Sequence, residues 1–286
     1  MLFRSRASSD LAIEASRQAL QAASCGAGDV DAIIVSTTSP DSAFPSTACF
    51  VQRGLGCRGV AAFDVSASCS GFLYGLSMAN GMIQSGQAKT CLVVSAEVKS
   101  RFLDPADAAT VVLFGDGAGA VVVRGEEGQG SSAPGLLRIR LHADGSKHGL
   151  IRVPAGGSRM PASAETVARR DHVLRMQGAS LFRIAVRRVE QAVQELLKDC
   201  GMTIGELSQV VLHQANGRIL SNVADRLGIQ EDRLASVIDR YGNTSSASLP
   251  IALDVAVRSG RVRPDDTVLL GSFGGGLTWA TGLIRW

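Results

Sequence analysis

The stretch Asp64-Val-Ser-Ala-Ser-Cys-Ser-Gly-Phe-Leu-Tyr-Gly75 decides how the chain is interpreted. An apolar run at residues 60–65 predicts a strand and a helical pattern follows from Gly71 to Ser85, so Cys69 lies in the turn between them. A thiol at a helix N-terminus faces unpaired backbone N–H groups, which favour the thiolate and are expected to lower its pKa. A free cysteine can equally be a small buried apolar residue. The turn makes Cys69 a candidate nucleophile.

Apolar strands alternate with helical patterns along the rest of the chain, which predicts an α/β fold with largely buried strands. Short β-branched runs predict strands at 32–36, 90–95, 120–123, 209–212, 267–270 and 281–284. Helical spacing is found at 11–23, 71–85, 181–200, 218–227 and 249–259. Glycine and proline are frequent between Gly125 and Arg170, which we interpret as a connection rather than a separate core.

The two ends of the chain follow the same plan. In each, a strand is followed by a Leu-Gly pair, a turn of small residues and a helix that closes on Ser-Gly. Cys69 and Asn243 each lie 16 positions before the serine of that pair, which predicts a duplicated unit whose equivalent turns face one shared site. Strand-helix-strand units also recur in α/β proteins without duplication. We expect an N-terminal half with the nucleophile at 1–124, a connecting region at 125–176 and a C-terminal half at 177–286.

Bulk composition excludes several classes of function. The 286-residue chain is 45% apolar, and its net charge of +3 is too mild to predict nucleic-acid binding. Six scattered cysteines without a Cys-x-x-Cys pair predict no metal site and suit a reducing compartment. No apolar run approaches the roughly 18 residues of a membrane span, and residues 1–9 lack a signal-peptide core. We expect a soluble cytoplasmic protein with no nucleic-acid or membrane partner.

Three further positions are candidates for chemistry. His213 ends a predicted strand, where side chains of α/β sheets converge on ligands, although a structural hydrogen-bond donor is an equal alternative. Asn243 lies in a cluster of small polar residues that alone predicts a helix cap. Gly275, in Gly274-Gly-Gly276, forms either a tight turn or a backbone N–H donor to a reacting carbonyl oxygen.

Together these features resemble the β-ketoacyl-acyl-carrier-protein synthase III family, the condensing enzymes that initiate type II fatty acid synthesis. The resemblance is carried by Cys69, His213-Gln-Ala-Asn216, Gly242-Asn-Thr-Ser245 and Phe273-Gly-Gly-Gly276, in that order. Supporting segments are Ala43-Phe-Pro-Ser46, Phe114-Gly-Asp-Gly-Ala-Gly-Ala120 and Leu141-His-Ala-Asp-Gly-Ser146. The resemblance implies a thiolase-like fold, with two duplicated α/β halves in a layered αβαβα arrangement.

A division of catalytic roles is also implied by the resemblance. Cys69 would accept a short acyl group from a thioester, and the backbone N–H groups of Cys69 and Gly275 would form the oxyanion hole. His213 and Asn243 would bind malonyl-acyl-carrier protein while carbon dioxide departs. The resemblance implies that three aromatic residues line the acyl pocket: Phe44, Phe114 and Phe273. Phe44 is expected to reach in from a dimer partner. For each of the three, ordinary core packing is the alternative.

Partners follow from the same resemblance. Acyl-carrier protein is acidic, so its docking surface is expected to be basic, with Arg218, Arg226 and Arg183 as candidates. For any one of these arginines the alternative is a solvated charged helix face. Acyl-coenzyme A or another acyl thioester is expected as a substrate, with no separate cofactor or metal ion. A homodimer is expected as the assembly.

The chain departs from the family in two places. About fifty N-terminal residues of the family, with its first strand and an adenine-stacking tryptophan, are unmatched here, which is expected to expose a sheet edge. The family's Asp-Arg-x-Thr sequence, whose arginine meets the same adenine, reads Asp107-Ala-Ala-Thr110. Two alternatives to fatty acid initiation therefore stay open. One is a condensing enzyme of secondary metabolism with another acyl donor, and the other is a truncated non-catalytic partner subunit.

Overall fold

A computed structural model describes residues 6–126 and 133–286. Residues 1–5 of the predicted N-terminal half and residues 127–132 of the predicted connecting region lie outside the described residues. The described chain forms two mixed sheets and a short two-stranded ribbon.

The first sheet contains β1 (Ala32–Ser36), β2 (Ala61–Val65), β3 (Thr90–Val98) and β4 (Asp116–Arg124). Its strand order is β2-β1-β3-β4, with β4 antiparallel to β3 and the other pairs parallel. The helices of this half are α1 (Ser8–Ala22), α2 (Thr47–Leu55), α3 (Gly71–Gln84) and α4 (Ala108–Val111). Every residue of β1 and β3 is buried, as continuous apolar runs predict for central strands.

The second sheet has five strands. They are β5 (Gly135–Ala143), β8 (Gln209–Leu212), β9 (Leu234–Ala235), β10 (Thr267–Gly274) and β11 (Thr278–Arg285), in the order β5-β11-β10-β8-β9. The ribbon pairs β6 (Ile151–Arg152) with β7 (Arg175–Met176). The helices are α5 (Ala164–Ala168), α6 (Gly178–Cys200), α7 (Gly217–Leu227), α8 (Ile238–Tyr241) and α9 (Ser248–Arg258).

The packing creates five layers. Side chains of β1 and β3 alternate, so that Ile34 packs inward against α3 and α9, whereas Ile33 packs outward against α1 and α2. The second sheet likewise presents Leu270 to α3 and α9 and Leu269 to α6 and α7. The predicted αβαβα arrangement is confirmed. Within the described residues, no helix has both the length and the apolar character needed to cross a membrane, including the 23-residue α6.

The predicted strands and helices are all present, with ends that differ by a few residues, but several further elements were not predicted, and α2 and β5 are the longest of them. Helix α2 begins where the Asp64 carboxylate accepts hydrogen bonds from the backbone N–H groups of Thr47 and Ala48, at 2.7 and 2.8 Å. A contact between distant parts of the chain, rather than local propensity, therefore fixes its N-terminus.

Strand β5 was also not predicted, and it lies inside the range interpreted as a connection. Its alternation of Arg138 and Arg140 with Ile139 and Leu141 is the period of a strand with one face against the core. Neighbouring glycines obscured this pattern in the sequence. The region 125–176 thus supplies one strand of the second sheet, and the C-terminal sheet begins well before residue 177.

The edges of the two sheets differ. Strand β11 pairs with β10 on one side and with β5 on the other. Strand β4 occupies the corresponding place in the first sheet, and among the described residues it pairs only with β3. The residues of β4 are partly exposed rather than buried, consistent with the expected sheet edge.

Candidate active site

The nucleophile turn joins β2 to α3. Ser68–Ser70 form one turn of 3-10 helix, in which Ser68 has a left-handed φ of 48°. Cys69, in the middle of this turn, is only 8% exposed. A Cβ atom at Gly71 would collide with Ser36 Oγ at the end of β1, so glycine lets α3 begin this close to the sheet. The local sequence therefore holds Cys69 at the strand ends, as the strand-to-helix pattern predicts.

A second turn, from the C-terminal half, meets the first. Ser245–Ala247 form a 3-10 turn before α9, and Ser245 has a φ of 53°. Cys69 Sγ lies 3.5 Å from Ser245 Oγ. Counted back from the start of the following helix, the equivalent of Cys69 is Ser246, not Asn243. The predicted equivalence with Asn243 is wrong in register, because it was counted from helix ends and α9 has 11 residues where α3 has 14.

His213 follows the end of β8 and is held from two sides. Its backbone N–H donates to the Gly271 carbonyl at 2.7 Å, and its Nδ1 lies 2.5 Å from Ser248 Oγ. Ser248 Oγ also accepts from the Gln214 backbone N–H at 3.1 Å. Donation of the Ser248 proton to Nδ1 satisfies both groups and leaves Nε2 as an N–H donor. Burial lowers the pKa of His213 to about 3, so the ring is neutral at physiological pH.

Asn243 is fixed by its neighbours in both halves. Its backbone N–H donates to the Leu113 carbonyl at 2.8 Å, which ties it to the chain ahead of β4. Its side-chain Oδ1 accepts from the Ser245 N–H at 2.9 Å, and Nδ2 donates to the Ala215 carbonyl at 3.2 Å. One Nδ2 hydrogen remains available to a ligand. Asn243 and His213 are thus linked through Ala215, two residues after the histidine.

The glycine segment after β10 lies directly against the nucleophile turn. A Cβ atom at Gly274 would be 2.6 Å from the backbone nitrogen of Cys69, and one at Gly275 would be 3.1 Å from Ser68 Oγ. Thr278 Oγ1 donates to the Ala67 carbonyl at 2.8 Å, which fastens the segment to the same turn. Backbone N–H groups from both segments are therefore close enough in space to serve one oxyanion.

Burial dominates the electrostatics of Cys69. Removal from water raises the pKa of its thiol to about 11, while the Ser245 hydrogen bond and the Lys99 ammonium act in the opposite direction. The expectation that the helix terminus leaves this pKa lowered is wrong for the resting site, because lost hydration outweighs the favourable contacts. The resting thiol is protonated at neutral pH, so nucleophilic attack by Cys69 would require a proton acceptor.

A buried carboxylate beside both turns escaped the sequence interpretation. Glu97, near the end of β3, is fully buried, and its Oε2 lies 3.0 Å from Lys99 Nζ. It accepts hydrogen bonds from four hydroxyl groups, those of Thr38, Ser39, Ser245 and Ser246, at 3.2, 2.7, 3.1 and 2.9 Å. The sequence signal was an acidic residue inside an apolar run, because a buried carboxylate is retained only where it is paired.

The three predicted pocket residues have different environments. Phe273, on β10, is 8% exposed and packs in the core of the C-terminal half. Phe114 forms an isolated bridge with Asn243 and so lies beside the site. Phe44 is 85% exposed, so within one copy of the chain it walls no pocket.

The predicted docking arginines lie on two neighbouring helices. Arg183 on α6 and Arg218 in the first turn of α7 are both exposed. Arg226, at the other end of α7, places its Nε 2.7 Å from a Glu190 carboxylate oxygen. Arg183 and Arg218 are therefore the more available charges. Over residues 6–126 and 133–286, no group of three or more histidine, cysteine, aspartate or glutamate side chains is arranged to hold a metal ion.

Two family models match the chain across this site. The model of 3-oxoacyl-[acyl-carrier-protein] synthase III matches residues 63–145, and the model of its C-terminal part matches residues 197–286. These segments include Cys69, His213 and Asn243, and thus both turns described above.

Individual relatives are similar over almost the whole chain. A β-ketoacyl-[acyl-carrier-protein] synthase III from Erythrobacter litoralis (strain HTCC2594) is 47% identical over 278 residues, 97% of this chain and 84% of the relative. Another, from Caldanaerobacter subterraneus subsp. tengcongensis, is 46% identical over 282 residues, 99% of this chain and 84% of the relative. The crystal structure of 3-oxoacyl-[acyl-carrier-protein] synthase III from Aquifex aeolicus VF5 has a TM-score of 0.89 and 41% identity, covering 99% of this chain and 86% of that one. The chain belongs to the β-ketoacyl-acyl-carrier-protein synthase III family of condensing acyltransferases with the thiolase-like fold.

Proposed function

We propose that the chain catalyses decarboxylative Claisen condensation of a short acyl thioester with malonyl-acyl-carrier protein, the initiating step of type II fatty acid synthesis. One observation carries the proposal: the Cys69 turn meets the turn of Asn243 and Ser245, with His213 at the adjoining strand end. The names of relatives at 46% and 47% identity indicate the same reaction. They favour it over a secondary-metabolism enzyme or a non-catalytic subunit.

The first half-reaction acylates Cys69. Its sulfur attacks the thioester carbonyl, the donor thiol leaves, and the acyl group stays on the enzyme as a new thioester. Exchange of one thiol for another is nearly balanced in energy, so the barrier lies in forming the tetrahedral oxyanion. The N–H groups of Cys69 and Gly275 donate to that oxyanion, and one such donor contributes about 3 kcal/mol.

The second half-reaction uses the donors of the C-terminal half. The malonyl thioester carbonyl accepts hydrogen bonds from His213 Nε2 and from the free hydrogen of Asn243 Nδ2. These two bonds stabilise the enolate left by departing carbon dioxide, so no base is needed to create the carbanion. A neutral His213, held in the Nε2–H tautomer by Ser248, suits this role. The reaction as written needs no metal ion or cofactor.

The acyl donor is a coenzyme A thioester or an acyl-carrier-protein thioester. Both end in the same pantetheine arm, and they differ in what lies beyond it. Ala108, the first residue of α4, is exposed and offers only a methyl group where the family pattern has an arginine for adenine. The rates of Cys69 acylation by the two donors, each carrying the same acyl group, distinguish them. Only coenzyme A contains an adenine, so only its reaction is affected by the missing arginine contact.

Partner contacts are proposed from the exposed groups. Arg183 and Arg218 form a basic surface across α6 and α7 for the acidic carrier protein. A homodimer gives the 85% exposed Phe44 an apolar environment, consistent with a role in the partner's acyl pocket. The six free thiols suit a cytoplasmic location.

The proposal is tested by supplying the purified chain with a short acyl donor and malonyl-acyl-carrier protein. Carbon dioxide and β-ketoacyl-acyl-carrier protein are expected in equal amounts, measured by isotope release and intact-protein mass spectrometry. Cys69→Ala is the control, because it removes the acyl acceptor. Failure to form the β-ketoacyl product with every coenzyme A and carrier-protein donor would contradict the proposal.

A further inference from the structure

The buried pair of Glu97 and Lys99 lies beside Cys69 without taking part in either half-reaction proposed above. Glu97 Oε1 accepts from Ser245 Oγ at 3.1 Å, and that same hydroxyl lies 3.5 Å from Cys69 Sγ. A hydroxyl group has one proton to donate. Because Ser245 directs its proton into the hydrogen bond to Glu97, Ser245 Oγ is free to accept a hydrogen bond from the Cys69 thiol. The three groups form a directed chain from Cys69 through Ser245 to Glu97.

The position of Ser245 is held independently of the thiol. Its backbone N–H donates to Asn243 Oδ1 at 2.9 Å. Its φ of 53° is in the left-handed region, and the turn that it begins lies where the two halves meet. A left-handed conformation is uncommon for residues other than glycine, and it persists where the surrounding contacts determine it. The chain is therefore built into the junction of the two turns.

Lys99 supplies the charge that Glu97 needs. Desolvation acts to raise the pKa of Glu97, but the Lys99 ammonium and several hydrogen bonds outweigh it and keep that pKa below its ordinary value. The other groups around the carboxylate are neutral donors: the Thr38 N–H and the hydroxyls of Thr38, Ser39, Ser245 and Ser246. Lys99 also donates to Thr38 Oγ1. Glu97 is thus ionised at neutral pH beside a protonated thiol.

We propose that Ser245 and Glu97 are the route by which the Cys69 thiol loses its proton during acylation, with Lys99 keeping Glu97 ionised. The inference rests on the proposed function of Cys69. As the bond from Sγ to the acyl carbon forms, the Sγ proton passes to Ser245 Oγ and the Ser245 proton passes to Glu97 Oε1. The donor's carbon–sulfur bond then breaks, and its sulfur leaves with the electron pair. The leaving thiolate regains a proton by the reverse shift, which restores the Glu97 carboxylate.

The test is the pH dependence of single-turnover acylation, measured by rapid quench and intact-protein mass. In the wild type, Glu97 is ionised throughout the range, so the rate constant is expected to be nearly flat between about pH 6 and 8. In Ser245→Ala the relay is cut and acylation depends on spontaneous thiolate. Its rate is then expected to rise about tenfold per pH unit, from a value at least about tenfold below wild type at pH 7.

Ser246→Ala is the matched control. Its hydroxyl lies 2.9 Å from the same Glu97 oxygen and 3.3 Å from the Ser36 carbonyl oxygen, whereas the hydroxyl within hydrogen-bond distance of the thiol is that of Ser245. It is expected to keep the flat profile. Glu97→Gln is the second relay variant, since an amide preserves size and hydrogen bonding but accepts no proton, and it is expected to show the rising profile.

Two results would overturn the inference. One is a wild-type acylation rate that rises with pH as steeply as that of Ser245→Ala. The other is an equal loss of acylation rate in Ser245→Ala and Ser246→Ala, with neither rate depending on pH. Lys99→Met adds a third readout: without the ammonium the pKa of Glu97 rises, so the acid limb of the profile moves to higher pH. The final extent of acylation separates this test from that of the proposed function. If no variant and no wild-type sample ever gains the acyl mass, the acyl-acceptor role of Cys69 fails rather than the relay.

Discussion

The two halves of the molecule share one strand plan and differ at its edge. The first sheet runs β2-β1-β3-β4 and the second runs β9-β8-β10-β11-β5. Beyond β11 the second sheet continues into β5, whereas β4 has no further strand among the described residues. Cys69 follows β2, which is the opposite edge of the first sheet from β4, whereas His213 and the glycine segment follow the interior strands β8 and β10 of the second sheet. The edge therefore concerns stability more than the geometry of the site.

The two turns show a second difference. Each begins with a left-handed serine, Ser68 or Ser245, and leads into a central helix. The next residue is Cys69 in one half and Ser246 in the other. The same backbone turn therefore carries the candidate nucleophile in the first half and a hydroxyl that binds the Glu97 carboxylate in the second. Duplication kept the turn and changed its chemistry. In the proposed mechanism the first half carries the acyl group and the second half donates to the malonyl carbonyl, while Ser245 of the second half also serves acylation.

The largest expected effect is that of Cys69→Ala. Condensation should fall on the order of a thousandfold or more, because no acyl-enzyme can form. Decarboxylation of malonyl-acyl-carrier protein should persist, since its donors come from the other half. Carbon dioxide release and condensation product are measured in parallel. Loss of both would contradict the division between the halves.

His213→Ala is expected to give the opposite pattern. Loss of one enolate donor should lower condensation by about a hundredfold to a thousandfold, while the Cys69 acylation rate stays within a few-fold of wild type.

Asn243→Ala should impair acylation more than His213→Ala does, because Asn243 Oδ1 also holds Ser245 against the thiol. Rapid-quench acylation rates for the two variants check this order. Equal acylation losses in the two variants would contradict the positioning of Ser245 by Asn243.

Gly274→Ala probes the contact between the halves. Its Cβ atom would lie 2.6 Å from the Cys69 nitrogen, and backbone must move to relieve that contact. A loss of stability of about 1–3 kcal/mol is expected, with slower acylation. Gly275→Ala is the matched comparison, because its nearest atoms are side-chain atoms of Ile151 and Ser68 at 3.1 Å. Chemical denaturation should rank Gly274→Ala as the more damaging, and the reverse rank would be inconsistent with this packing.

The smallest effect concerns the two edges. In hydrogen exchange, amides of β11 should be protected along both sides, whereas part of β4 should exchange early because one of its edges has no strand partner among the described residues. Peptides spanning 116–124 and 278–285 report the two strands directly. Equal protection would mean that another chain covers β4.

Much of this organisation was predictable from sequence. Central strands such as β3 are continuous apolar runs, and the turn at Cys69 is bounded by a strand and a helix of clear period. Cys69 and Asn243 stand beside small residues that are typical of turns, and His213 ends a predicted strand. Local pattern suffices where one segment determines its own structure.

The parts that sequence did not predict depend on distant contacts. Helix α2 is capped by Asp64 from the end of β2. Glu97 is connected to Cys69 only through Ser245, which belongs to the other half of the chain. The pKa of Cys69 was expected to be lowered by a helix terminus, yet burial by both halves raises it to about 11. Burial and pairing are properties of the assembled fold.

The most direct test of the account is the mass of the Cys69 peptide after the purified chain meets a short acyl donor. A gain of one acyl mass on that peptide alone is predicted, removed again when malonyl-acyl-carrier protein is added. No adduct with any coenzyme A or carrier-protein donor, or an adduct on one of the other five cysteines instead, would contradict it.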